Sequence, residues 1–320
     1  MHIMPRRRQR PGTLSHRAPD PPHPNPRPLM TQKRNPHVES YRTRRPCADN
    51  LFSPQPVIVM PTTKTAPPPT QPEDLPKLRQ RLWEKPANAI CQIGDYRLRI
   101  TDGPNAYMQY KDVFVRGIYR FTADRPNPLI IDGGSNMGLS VLGFKHDHPA
   151  SRVVAFEPDP AIADLLAENL DRNGISDVEI IPAGLAAQAG VLGFTADGSA
   201  GGHIVDRPAA LTPTIRVVRL SDYLAEPVDF LKLNIEGQEL PVLQEAQSSG
   251  RLANVRRMVV EYHGWAGGKQ CLGDLLNLLD KEGYRYLVHD FDSETGPLTK
   301  PPFRHRPKGD WFCLVHAQRV

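Results

Sequence analysis

Cysteine is scarce and scattered. The 320-residue chain has four, Cys47, Cys91, Cys271 and Cys313, and none stands at the short spacing that marks a metal site. Without a paired framework, and with Cys313 inside an apolar run, the simplest reading is a reduced, cytoplasmic protein with no metal centre. No apolar stretch approaches the length needed to cross a bilayer. No apolar segment follows the N-terminal arginines, which argues against a secretory signal. There is no internal repeat, and the dinucleotide fingerprint G-x-G-x-x-G is missing.

Proline is abundant but unevenly spread. Of 34 prolines, 17 fall between Met1 and Leu75, together with 12 Lys/Arg against 5 Asp/Glu. That segment carries a net +7 and leaves 28 Lys/Arg against 30 Asp/Glu for the rest, so the basic character belongs to a tail. With no apolar periodicity and few backbone donors, residues 1–75 are expected to be disordered. The Arg-rich start invites comparison with a nucleic-acid arm, but a solvated or mis-started terminus is the plainer reading, with Met30 and Met60 as alternative starts. The remainder is near neutral and offers no phosphate-binding surface, so no nucleic-acid partner is expected.

From Pro76 onward, periodicity appears. Tyr96, Leu98 and Ile100 alternate with Arg97 and Arg99 like a strand, and Asn105 to Phe121 reads as a helix. Short apolar runs then recur at Leu129–Ile131, Val153–Phe156, Val178–Ile181, Phe230–Leu233, Met258–Val260, Tyr284–Val288 and Trp311–Val315. Between them lie amphipathic stripes such as Ile162, Leu165, Leu166 and Leu170. Apolar strands alternating with helices predict a doubly wound α/β fold, with a mostly parallel seven-stranded sheet covered on both faces. Residues 76–128 are expected to form a segment on the substrate side, and 129–320 the ligand-binding domain.

The chemistry is expected at the strand ends. Ile131-Asp132-Gly133-Gly134-Ser135-Asn136-Met137-Gly138 runs from an apolar strand through a carboxylate into a glycine-rich turn that opens a helix. Glycine lets a ligand approach the backbone there. The pattern D-x-G-x-x-x-G puts a negative charge where a diphosphate would otherwise sit, which suits a cationic ligand. Glu157, 23 positions after Gly134, ends the next strand, as a residue that accepts ribose hydroxyls would. Pro158 and Asp159 follow it, and Asp159 reads as the cap of the next helix. The turn Pro182-Ala183-Gly184 ends the third strand, where it would flank an adenine.

The set DGGSNMG, FEPDP, LKLNIEGQE and VVEYHG, in this order and spacing, resembles the FkbM-type methyltransferases over roughly Tyr96 to Gln318. The resemblance implies a class I, Rossmann-like methyltransferase domain that uses S-adenosylmethionine to methylate a hydroxyl of a sugar, glycolipid or secondary metabolite. It implies that Asp132, Gly134 and Asn136 meet the methionine part of the cofactor and Glu157 its ribose, with Gly133, Gly138, Pro158, Asp159, Ala183, Gly184 and Asn234 completing the binding set. The family's fourth-strand motif often reads K-x-D-x-E-G. Asn234 stands at the Asp position and removes one charge.

A hydroxyl acceptor is a weak nucleophile until it loses its proton. His263 is the candidate general base because an imidazole titrates near neutrality, with Glu261 orienting its ring and Glu236 as the alternative base. Lys232 reads as a sheet-facing or surface lysine. The acceptor, a small molecule or glycan, is expected among Tyr107–Phe121, Ala196–Arg207 and Gly264–Gln270. Two rivals remain: a nicotinamide-dependent oxidoreductase, disfavoured by Asp132, and a non-catalytic S-adenosylmethionine-binding protein of the same fold.

Overall fold

The computed structural model describes residues 58–59, 73–195, 202–205, 212–265, 268–289 and 311–320. All of these fall in one unit, Phe52–Val320. The expected disordered tail lies outside the described residues apart from Ile58–Val59 and 73–75.

Seven strands form the central sheet: β1 Leu129–Gly133, β2 Arg152–Phe156, β3 Val178–Ile181, β4 Phe230–Leu233, β5 Arg257–Gly264, β6 Tyr284–His289 and β7 Trp311–Arg319. Their order is β3-β2-β1-β4-β5-β7-β6. β7 runs antiparallel to both its neighbours and the other pairings are parallel. Ile58–Val59 adds a short antiparallel strand outside β3.

Burial explains why these runs are strands. Every residue of β1 is buried, and alternation divides them between two cores. Ile130 enters one core with the helices α1 (Leu75–Leu82), α2 (Gly103–Tyr110), α3 (Leu139–Asp147) and α4 (Pro160–Arg172). Leu129 and Ile131 enter the other, with α5 (Glu239–Ser248) and α6 (Leu272–Lys281). The sheet is therefore doubly wound, with helices on both faces. The connections leave β1 in one direction toward β2 and β3, then resume at β4 on its other side. The carboxyl ends of β1 and β4 thus sit at the topological switch point, where open α/β sheets leave a crevice.

Two local expectations are revised. The stretch Asn105–Phe121 is not one helix: α2 passes into a π-helical turn, Lys111–Arg116, stopped by Gly117 at φ 64°. Between β3 and β4 stands a second sheet in place of a loop, in the order Gly184–Leu185, Thr214–Val218, Gly190–Thr195, His203–Val205. Its strands are short and two of the four contain glycine, so they leave little periodic signal. Among the described residues, no helix is long and apolar enough to cross a membrane.

The N-terminal hairpin, Ile90–Ile93 with Tyr96–Arg99, is fastened to α4 by Asn169, with Asn173 and Glu168 pairing to Arg97 and Arg99 nearer the surface. Asn169 is fully buried, accepts from Arg99 N at 2.7 Å and donates to Arg99 O and Met137 O at 2.9 Å. Asn169→Ala strands those three backbone groups and is expected to cost about 2–4 kcal/mol in urea unfolding; an unchanged midpoint would contradict this fastening role.

Candidate active site

The glycine turn after β1 is shaped by its neighbour rather than by open space. Gly134 has φ 82°, and a Cβ there would lie 1.9 Å from the carbonyl oxygen of Asn234 at the end of β4. Any side chain would force the two strand ends apart. Beneath the turn lies Lys232, an ammonium in the middle of β4 and 2% exposed. It donates to Asp132 Oδ1 at 2.8 Å, Gly134 O at 2.7 Å and Gly133 O at 3.2 Å. The other Asp132 oxygen accepts from Ser140 Oγ at 2.5 Å. Asp132 is thus fully buried and neutralised by Lys232, behind the ligand-facing surface. The Asp132 carboxylate, expected to meet the cofactor, is turned to Lys232 and Ser140, and Lys232, read as a sheet-facing or surface lysine, is buried in the sheet.

A cleft of about 230 Å³ opens above the turn. Gly134, Ser135 and Asn136 form its floor, and Glu157, Pro158 and Asp159 one side. Ala183, Gly184 and Leu185 with Ile162 give an apolar wall, and Asn234, Glu236 and Glu261 close the far end. Gly133, Gly138 and His263 are not among the lining residues. Of the segments expected near the acceptor, Met108, Gln109, Asp112 and Tyr119 line the far end and His203 and Ile204 its rim, whereas the described residues of Gly264–Gln270 contribute none of the lining. Residues 196–201, 206–211, 266 and 267 lie outside the described residues.

Glu157 is poised. Its oxygens accept from Asn136 N at 2.9 Å and Asp159 N at 3.0 Å, leaving lone pairs for the cleft. Burial raises its carboxyl to about 7, against the lowering effect of those two amides. Asp159 caps α4 by accepting from Ala161 N at 2.9 Å. Asn136, at φ 47°, accepts from Gln109 Nε2 at 3.0 Å, which ties the turn to α2.

The far end holds the other charged group. Glu261 Oε2 accepts from Asn234 Nδ2 at 3.0 Å and Tyr119 OH at 3.3 Å. Burial raises its pKa, opposed by His263 and Lys232. His263 is 6% exposed. Its Nδ1 lies 3.0 Å from Glu239 Oε1, and its Nε2 lies 3.4 Å from Glu236 and 3.9 Å from Glu261. Burial pushes the imidazole down, but attraction to Glu239, Glu236 and Glu261 outweighs it and brings His263 to about 9. Glu239, buried at the start of α5, is a residue that sequence reasoning did not single out. Its signal was an acid two residues past Gly237 in an otherwise helical, apolar stretch.

Comparison with known proteins now bears on this cleft. The family of the methyltransferase FkbM domain matches residues 132–286, the segment from the β1 carboxylate into β6. Methyltransferase sdnD of Sordaria araneosa is 30% identical over 189 residues, covering 48% of this chain and 73% of that protein. The chain belongs to the FkbM methyltransferase family. The 31-O-demethyl-FK506 methyltransferase FkbM of Streptomyces tacrolimicus is 28% identical over 221 residues, covering 57% of this chain and 83% of that one. Among solved structures, the methyltransferase FkbM of Methylobacillus flagellatus superposes with a TM-score of 0.40 at 19% identity, over 63% of this chain and 46% of that chain. The chain therefore spans under half the length of that crystallised FkbM protein. The match to the family begins at Asp132, so α2 and the π-helical turn, which contribute to the cleft lining, stand before it.

Folding and protonation are linked at two of these FkbM-site residues. His263 keeps its proton to about 9 when folded, against 6.5 ordinarily, so the stability it contributes is complete below 6.5 and lost as pH rises through 9. Glu157 behaves likewise between 4.5 and about 7, because burial favours its neutral form. Urea unfolding is expected to show stability falling between pH 6.5 and 9, with a smaller fall in His263→Asn. Identical pH dependence in the two proteins would refute the charged imidazole.

Proposed function

We propose that the chain is an S-adenosylmethionine-dependent O-methyltransferase acting on a hydroxyl of a small molecule or glycan. The observation that carries this reading is the cleft at the switch point. A glycine turn forms its floor, the Glu157 carboxylate faces it at the end of β2, and an apolar wall stands at the end of β3. The residues fit the cofactor. Glu157 has acceptor capacity for ribose hydroxyls, and Ile162, Ala183 and Leu185 give an adenine an apolar surface. Asn234 Oδ1 is buried, has no hydrogen-bond partner among the described residues and offers an acceptor at the far side. Five lining acids, Asp112, Glu157, Asp159, Glu236 and Glu261, surround a space that a sulfonium nucleoside suits and a dinucleotide diphosphate does not. Lys232 does not reverse that sign, since its donors are engaged by Asp132 and two carbonyls.

When bound, S-adenosylmethionine supplies an electrophilic methyl group, so the protein's tasks are alignment and removal of the acceptor's proton. The base role moves from His263 to the carboxylates. With both imidazole nitrogens directed at carboxylates, no ring lone pair is available to accept a proton. Glu261 lines the cleft, and its raised pKa makes it the stronger base; Glu236 is the second candidate. A methyl acceptor on oxygen is supported by the name of the Streptomyces protein, which specifies an O-demethyl substrate.

Glu157→Ala is expected to weaken S-adenosylhomocysteine binding about ten- to a hundredfold by calorimetry, the loss of hydrogen bonds to a charged acceptor. Unchanged affinity would remove the ribose assignment. Glu261→Gln is expected to retain that affinity within a few-fold while turnover on an acceptor found by screening labelled cofactor against extract fractions falls about a hundredfold or more. Near-normal turnover at saturating acceptor would exclude Glu261 as the base.

A further inference from the structure

The carboxylate cluster at the far end of the cleft is organised by a group that never touches the cleft. We propose that Glu239 is the positioning residue of this site: it holds His263 as a permanent imidazolium, and that cation in turn fixes Glu236 and Glu261 at the acceptor end.

The geometry is specific. Glu239 is 2% exposed and opens α5. One of its oxygens, Oε1, accepts from Ile235 N at 3.0 Å, Gly237 N at 3.3 Å and His263 Nδ1 at 3.0 Å. Those two amides belong to the turn that carries Glu236, which sits at φ 55°, a conformation that a side-chain-bearing residue adopts only when held. One carboxylate therefore fixes the backbone beneath Glu236 and the ring beside it. The ring is also clamped on its apolar sides. Trp265 stacks on it at 5.3 Å with planes 15° apart, and Phe312 of β7 meets it edge-on at 5.2 Å. Trp265 Nε1 would lie 3.0 Å from a Cβ placed on Gly237, so the indole ties the same turn to the ring.

The charged groups facing His263 are Glu239 from α5, Glu236 from the preceding turn and Glu261 from its own strand. The two rings packed against it, Trp265 and Phe312, are uncharged. Three carboxylates around one imidazole would repel one another without a cation between them, and a neutral ring could donate to only one. An imidazolium donates from both nitrogens, to Glu239 through Nδ1 and toward Glu236 and Glu261 through Nε2. The same cation sits behind the two cleft carboxylates, so the acceptor meets ionised oxygens whose repulsion is already offset. The positioning role rests on the reading of this end as the acceptor site. The protonation state and its dependence on Glu239 do not.

The test is imidazole ¹⁵N NMR of the full-length protein, with the His263 signals assigned by their loss in His263→Asn. In the wild type both ring nitrogens are expected to stay protonated through pH 8, with titration near 9. Glu239→Gln keeps an amide oxygen for the Ile235 and Gly237 amides but removes the charge, and its His263 is expected to titrate near or below the ordinary value of about 6.5. A neutral His263 in the wild type at pH 7.5 would overturn the proposal, as would a Glu239→Gln midpoint equal to the wild type's. Should the variant not fold, the wild-type titration still decides whether the ring is charged. S-adenosylhomocysteine affinity measured on the same samples separates the two readings: a charged, Glu239-dependent His263 in a protein that binds no cofactor would defeat the methyltransferase assignment and leave this one standing.

Discussion

The buried ion pair between Lys232 and Asp132 sits at the centre of the sheet, where β4 and β1 lie side by side. Neither side chain reaches solvent, and transfer of two charges from water to such a place costs several kcal/mol per ion unless the geometry is good and the remaining donors are satisfied. Both conditions hold. Lys232 has three N–H donors and three acceptors, one carboxylate oxygen and the carbonyls of Gly133 and Gly134. Two of those acceptors are the backbone of the glycine turn, so the pair sets the path of the loop that forms the cleft floor. Ser140 on α3 takes up the second Asp132 oxygen and links the same charge to the helix that the turn opens.

Charge in this site is arranged in two tiers. The lower tier holds fixed cations that do not line or do not act freely in the cleft: Lys232 under the turn and His263 under the far end. The upper tier holds carboxylates that line it: Glu157 at the end of β2, Glu236 and Glu261 at the other end. Glu157 and Glu261 are held in place by hydrogen bonds and Glu236 by its approach to His263, and burial raises Glu157 and Glu261 above their ordinary range. A ligand that brings donors or positive charge is what such a surface lacks. Asn234 belongs to this logic. Its amide donates to Glu261 at 3.0 Å, where an aspartate would set a second negative charge beside the first.

Much of this was legible in the sequence, for identifiable reasons. Strands buried on both faces are apolar throughout, so β1 to β5 announced themselves as short apolar runs, and the motif residues followed because strand ends at a switch point must be polar or glycine. Glu157, Asn136, Gly184 and Asn234 come together as their positions after those runs implied. What the sequence hid were pairings across long separations. Asp132 and Lys232 are one hundred residues apart, and nothing local tells that one neutralises the other, although a lone lysine in a buried strand must find a partner. His263 looked like a base because its ordinary pKa is near neutrality; Glu239 and Glu236, arriving from outside its strand, and Glu261 beside it change its charge. The second sheet was missed because two of its strands are only two or three residues long and a third, Gly190–Thr195, carries two glycines.

Hydrogen–deuterium exchange of the full chain with and without S-adenosylhomocysteine tests the central claim most directly, because it reads backbone protection residue by residue without needing an acceptor. The account predicts slowed exchange on cofactor addition at residues 133–138, 157–159 and 234–237, the three strand ends that meet over the buried lysine. Protection confined to other segments, or none at saturating cofactor, would contradict it.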